Sequence, residues 1–213
     1  MTVVFAAIFI ISARGQGFLN LDFESAQNLP STGGASVSVA NALPNWTAYA
    51  GLNTLSAVYY VSNIFLGSSP VELEAGSLAL SGHFSVGLYN SGSISQTGSV
   101  PNNAESLLFE AEGPGTGGSL GASGLEVMLG GQSLSLSALS DGSGYTVYGA
   151  NVPADMDDQV EALTFLIRGG GDGGVLLDNI EFSSMSVPEP SQFALVGLGA
   201  ILLSLRYRRN LRA

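Results

Sequence analysis

Cysteine and lysine are both absent from this 213-residue sequence, and histidine and tryptophan occur once each. Without cysteine there is no disulfide framework, no thiolate metal site and no cysteine nucleophile. A single histidine, His83, cannot build a zinc site alone, because zinc takes three or four His, Cys or carboxylate ligands. Only 11% of residues are charged, against 46% apolar residues and 29 glycines. Hydroxyls, amides and backbone must therefore cover the surface in place of the usual Lys and Glu. The cations are all arginines: Arg14, Arg168, Arg206, Arg208, Arg209 and Arg212. Across residues 16–187 one arginine faces sixteen acids, a net −15. Such a surface repels phosphates, which excludes nucleic acid as a partner, and it attracts divalent cations.

Long helical periods are also missing. Residues 84–89, 145–148 and 160–167 are short apolar or alternating runs punctuated by Gly, Asn, Ser and Pro, the pattern of strands. Residues 77–81 alternate in the same way and are expected to form another strand. The fold class expected is all-β, an antiparallel β-sandwich. One hairpin can be placed by register: residues 125–129 and 132–136 flank Gly130-Gly131, a two-residue loop suited to primed turns. Antiparallel pairing across it sets Val127 opposite Leu134 and Leu125 opposite Leu136, with the apolar side chains on one face.

The two ends are different in kind. Residues 3–11 are uninterrupted apolar positions followed by the small residues Ala13 and Gly15. Nine residues rise about 13 to 14 Å as a helix, too little for a hydrocarbon core of roughly 30 Å. This reads as a signal peptide over residues 1–17, although Met1-Thr2 supplies no positive n-region; a buried N-terminal strand is the competing reading. At the other end Val187-Pro188-Glu189-Pro190 precedes an apolar run at 193–205, and Arg206, Arg208, Arg209 and Arg212 flank that run within the last eight residues. Two prolines keep the motif out of helix and extended, as a peptide read by an enzyme should be. The apolar run is expected to be a transmembrane helix, held in orientation by its arginines.

The tail closely resembles the PEP-CTERM sorting domain, which implies recognition by a membrane exosortase and export in bacteria that make exopolysaccharide. In the middle, Phe18-Leu-Asn-Leu-Asp-Phe-Glu24, Leu43-Pro-Asn-Trp46 and Val175-Leu-Leu-Asp-Asn-Ile-Glu-Phe182 resemble the opening and closing strands of galactose-binding-like jelly rolls. Ile94 to Pro101 and Leu107-Leu-Phe109 resemble the strands between them. The resemblance implies a jelly-roll-like ectodomain over residues 18–184 and a sorting tail over 187–213. Another β-sandwich or a short β-solenoid rich in Gly and Ser stands beside that reading.

Catalytic patterns match by letter and fail by context. Gly117-Gly-Ser119-Leu-Gly121 fits a nucleophile elbow, yet the only histidine precedes Ser119, against the Ser, Asp, His order of α/β-hydrolases. No Asp stands between His83 and Ser119 for the reverse order. Two G-x-G-x-x-G stretches, at 113–118 and 169–174, lead into strand-like sequence, so neither has the helix N-terminus a phosphate needs. No enzyme is expected. Calcium is the cofactor the sequence suits best, because Asp22, Glu24 and Asp178 are carboxylates that a jelly roll would bring to neighbouring strands. Asp155, Asp157 and Asp158 form a second acidic group in a loop, and ordinary solvated acids are the competing reading of both groups. Trp46 is the candidate ligand-binding aromatic, since sugar-binding sandwiches stack aromatic faces on pyranose rings; a core position is its other reading.

The expected protein is exported, held at the membrane by its tail and then delivered to the cell surface or extracellular matrix. Its expected partners are an exosortase, the membrane and polysaccharide. A structural or adhesive role is the first functional expectation, and a carbohydrate-binding module that captures glycans is the alternative.

Overall fold

Fourteen strands are distinguished in the computed structural model, which describes residues 17–61, 69–113, 124–168 and 174–188. They are β1 (Ala35–Ser38), β2 (Thr47–Ala50), β3 (Asn53–Thr54), β4 (Ala57–Tyr60), β5 (Val71–Ala75), β6 (Phe84–Leu88) and β7 (Gly92–Ser99), then β8 (Ser106–Glu112), β9 (Leu125–Leu129), β10 (Gln132–Ser133), β11 (Ser137–Asp141), β12 (Thr146–Asn151), β13 (Val160–Ile167) and β14 (Val175–Ser183). The expected signal peptide up to residue 16, the 117–121 elbow match, the apolar run 193–205, Glu189, Pro190 and the four terminal arginines lie outside the described residues. Among the described residues no helix is long and apolar enough to cross a membrane.

Two sheets pack as a sandwich. One has eight strands in the order β1-β4-β5-β6-β14-β8-β12-β11, and the other has six in the order β10-β9-β13-β7-β2-β3. All pairings are antiparallel except β4 with β5. Alternation explains which faces meet: Leu73, Val86, Phe109 and Leu177 point inward from the larger sheet, and Ile94, Val127, Leu163 and Phe165 from the smaller, all essentially buried. Phe109 and Phe165 meet edge to face across the gap, with ring centroids 5.3 Å apart. That geometry favours the ring quadrupoles.

The hairpin forms in the expected register, with Gln132 opposite Leu129 and Ser133 opposite Met128. Gly130 and Gly131 take φ of +57° and +78°, the left-handed pair a type I′ turn requires. The Leu134 amide still reaches the Val127 carbonyl at 2.8 Å. The chain then leaves for the other sheet at β11, so Leu136 does not complete a ladder with Leu125.

Three expectations are corrected. Residues 77–81 are not a strand: a 3₁₀ turn occupies Gly76–Leu78, and the left-handed glycines Gly76 and Gly82 bracket the segment. The opening segment 18–24 is not a strand either; after a single parallel bridge from Gly17 to Ser99 it runs as turns across one end of the sandwich. Leu43 to Trp46 is likewise a turn, following a single α-helical turn α1 (Val39–Ala42). Both opening segments plug the core with aromatics and aliphatics, Phe23, Leu43 and Trp46, without sheet pairing.

Candidate functional site

Carboxylates dominate what the sandwich assembles. Along β5 the alternation Val71, Leu73 inward leaves Glu72 and Glu74 on the outer face of the larger sheet, yet they are only 1% and 2% exposed. Register carries that face sideways. Glu74 lies opposite Ser85 on β6, the Ser85 hydroxyl donates to Asp178 Oδ2 at 2.7 Å, and Asp178 lies opposite Glu110 on β8. An acidic row thus crosses four adjacent strands. No arginine among the described residues joins it; Arg168 pairs instead with Glu126 on the smaller sheet.

Burial disfavours the charged forms along this row. It pushes the Glu74 carboxyl up to about 8, reinforced by a hydrogen bond and repulsion from Glu72. Glu74 Oε2 is buried with no hydrogen-bond partner, so the two side chains meet most stably by holding a proton between them. Burial also pushes Asp178 up to about 6, even though Ser85, Ser81 and Asn179 donate to it. The Tyr89 hydroxyl, buried beside Glu74 and Glu72, is pushed up as well.

A β-bulge between Asp178 and Glu181 places Asn179 at φ +50°. The Ile180 amide there bonds the Leu21 carbonyl, at 2.9 Å, in place of a strand partner. This contact brings the opening segment against β14, and Asp22, Glu24, Ser81, Gly82, Asp178 and Asn179 line one open cleft of about 200 Å³. The three carboxylates singled out as calcium ligands are therefore gathered at one place. Most of their oxygens already have donors. Glu24 Oε1 accepts from the His83 and Phe84 amides at 2.6 and 3.0 Å, and Glu24 Oε2 lies 3.0 Å from His83 Nδ1. Burial works against ionisation of Glu24, but these donors outweigh it and hold the carboxyl below its ordinary value. Asp178 Oδ2 accepts from the Ser81 amide at 3.0 Å, and Asp22 Oδ1 from the Glu24 amide at 3.3 Å. The donor set is right in kind for a hard cation. Its spacing is not: among the described residues no three His, Asp or Glu groups converge closely enough to hold a metal.

Trp46 is corrected from ligand platform to core. It is 4% exposed, packs against Phe23 and Phe165 at 5.7 and 6.5 Å between centroids, and donates its indole N–H to the Asn20 carbonyl at 2.9 Å. Buried in this way, its ring has no face for a sugar. Tyr49, Tyr59, Tyr60, Tyr145 and Tyr148 are half-buried and Tyr89 is buried, so none offers a fully exposed ring. Asp155, Asp157 and Asp158 do fall in a turn, with Asp155 and Asp158 facing solvent. The acidic row was not anticipated, although the signal was present in the repeat Val71-Glu72-Leu73-Glu74. The repeat put both acids on one face, but such alternation ordinarily marks a solvated outer side, so only the tertiary structure shows them buried.

The sorting motif begins where the domain ends. The chain beyond β14 steps across the ends of three neighbouring strands: Ser183 pairs with Ser106, the Ser106 hydroxyl donates to the Met185 carbonyl at 2.7 Å, and Val187 meets Asn151 on β12. Val187 is 6% exposed and Pro188 is exposed. Comparison with family models matches residues 186–209 to the PEP-CTERM protein-sorting motif. The match covers the tail and none of the sheets. No curated protein and no solved structure matches the chain. The motif makes this an exosortase-sorted exported protein directed to the cell surface.

Proposed function

We propose that the chain is a non-catalytic surface protein whose β domain is a structural or adhesive component of the cell envelope or of its polysaccharide matrix. The observation that carries this is the sorting motif at 186–209. The rest of the tail agrees with it: residues 193–205 would halt in the bilayer while Arg206, Arg208, Arg209 and Arg212 hold the end cytoplasmic, and residues 1–17 would start export. Strand order supports the jelly-roll reading of the domain. From β6 onward the chain alternates between the two sheets, apart from the β9–β10 hairpin and the β11–β12 pair, which builds interlocked Greek keys. Capture of glycans as the main task loses its support with the burial of Trp46.

The test is expression in a host that has an exosortase. Wild type is expected to be processed near Pro188 to Pro190, and a Glu189→Ala, Pro190→Ala variant to accumulate unprocessed in the membrane fraction. Identical terminal peptides by mass spectrometry from both proteins would sink the sorting reading. Polysaccharide retained by the isolated domain would replace the structural role with the glycan-binding one.

A second reading, Ca²⁺ at the Asp22, Glu24 and Asp178 cleft, is favoured by one observation. Asp178 is 1% exposed and carries a desolvation penalty that no arginine among the described residues offsets. Binding would need Asp22 and Glu24 to turn toward Asp178 from their present donors.

A further inference from the structure

Asn151 uses both ends of its side-chain amide on one residue. Its Oδ1 accepts from the Val187 amide at 2.6 Å, and its Nδ2 donates to the Val187 carbonyl at 3.0 Å. The Val187 side chain lies over Gly149, where a Cβ would come within 2.7 Å of Val187 Cγ2. Val187 falls inside the stretch matched by the sorting motif. An enzyme that reads an extended peptide does so through main-chain hydrogen bonds and side-chain pockets. At Val187 all of these are already taken: the N–H and C=O by Asn151, the side chain by the sheet. Asn151 and a processing enzyme therefore compete for the same atoms.

We propose that Asn151 is a positioning residue that withholds the start of the sorting motif, so that the folded domain acts as a reversible brake on processing of its own tail. This rests on the sorting reading. The clamp forms only when three adjacent strands of the larger sheet are paired: Ser106 on β8 holds Met185, Asn151 on β12 holds Val187, and Ser183 on β14 leads into both. Release of residues 184–187 is local, requires no strand to separate, and lies at the low-energy end of native opening. Where opening and closing are fast relative to cleavage, the rate follows the open population.

The experiment is a pulse-chase of the full chain in an exosortase-bearing host, comparing wild type, Asn151→Ala and Gly149→Ala. Asn151→Ala removes both hydrogen bonds, and Gly149→Ala crowds Val187 by a separate route, its added Cβ also meeting the side chains of Leu108 and Leu139. Hydrogen exchange at the Val187 amide of each purified full chain reports the clamp directly. Faster exchange and processing about tenfold faster in both variants are expected, the factor to which ~1.4 kcal/mol of lost closure corresponds. Faster exchange with unchanged or slower processing overturns the brake while leaving the sorting reading intact. Wild type that is never processed, like the Glu189→Ala, Pro190→Ala control, refutes the sorting reading and the brake with it. Thermal unfolding of each variant separates a loosened clamp from a loosened fold, since general destabilisation lowers the melting temperature and speeds exchange along β8 and β12 as well.

Discussion

Gln96 grips Leu19 at both of its backbone polar groups: Gln96 Oε1 accepts from the Leu19 amide at 2.5 Å, and Gln96 Nε2 donates to the Leu19 carbonyl at 2.8 Å. Asn151 does the same to Val187, where the chain leaves the domain. A side-chain amide presents one donor and one acceptor side by side, which is the pattern a strand neighbour offers. Entry and exit of the chain are thus fastened to the sandwich without adding a strand to it. Gln96→Ala is expected to lower stability by about 1–3 kcal/mol, because partly buried backbone groups lose their partners. Denaturant unfolding of the β domain, residues 17–188, measures this. Chymotrypsin should cut near Phe18 and Leu19 sooner in the variant than in wild type.

Trp46→Ala is expected to destabilise the domain by about 3–5 kcal/mol through cavity formation, and Trp46→Phe by less. Since Trp46 is the sole tryptophan, its fluorescence is a direct probe, and emission should move to the red only as the domain unfolds. A substitution that abolished glycan binding and left stability unchanged would contradict the core placement.

Stability should depend on pH with a sign set by two kinds of carboxyl. Glu74 and Asp178 have folded-state values of about 8 and about 6, above the ordinary 4.5 and 3.8, so the native state binds the extra protons. Their contribution is complete below the ordinary values and is lost as pH rises, through about 6 for Asp178 and about 8 for Glu74. Glu24 is lowered; its contribution is present above its ordinary value of 4.5 and is lost as pH falls through the depressed one. Melting temperature against pH should therefore peak in the mildly acidic range. Glu74→Gln should flatten the fall between pH 6 and 8, and an unchanged slope there would mean that Glu74 is not the group that titrates.

Calcium should raise the melting temperature of the β domain beyond NaCl at matched ionic strength, and Asp178→Asn should remove the difference. At a free concentration a hundred times the dissociation constant, mass action contributes about 2.7 kcal/mol. Equal effects of the two salts would leave the cleft carboxylates as clamps for the Ser81 to Phe84 segment and nothing more.

How much of this was legible beforehand follows from the range of the forces involved. Alternation and turn chemistry act within a few residues, so β6 at Phe84–Leu88 and β13 at Val160–Ile167 could be read directly, as could the hairpin register about Gly130-Gly131, while β14 at Val175–Ser183 was reached through the family resemblance. The tail motif needed no fold at all, because it is a peptide to be read in extended form. Residues 77–81 show where local pattern ends: their alternation is that of a strand, but left-handed Gly76 and Gly82 turn the chain away from any ladder. Trp46 shows another, since a sole tryptophan in a sandwich suits the core and a sugar platform alike, and only its contacts with Phe23 and Phe165 decide for the core.

By itself, then, the sequence determined the β class, the negative surface and the sorting address, each of which rests on composition or on a contiguous motif. Tertiary structure alone decided that Asp22, Glu24 and Asp178 share a cleft, that Glu74, Asp178 and Glu110 share a buried face, and that Asn151 and Gln96 stand in for missing strands. Apart from Asp22 and Glu24, those partners are separated by between 36 and 156 positions along the chain, and only register, the β14 bulge and close packing bring such distant polar groups together.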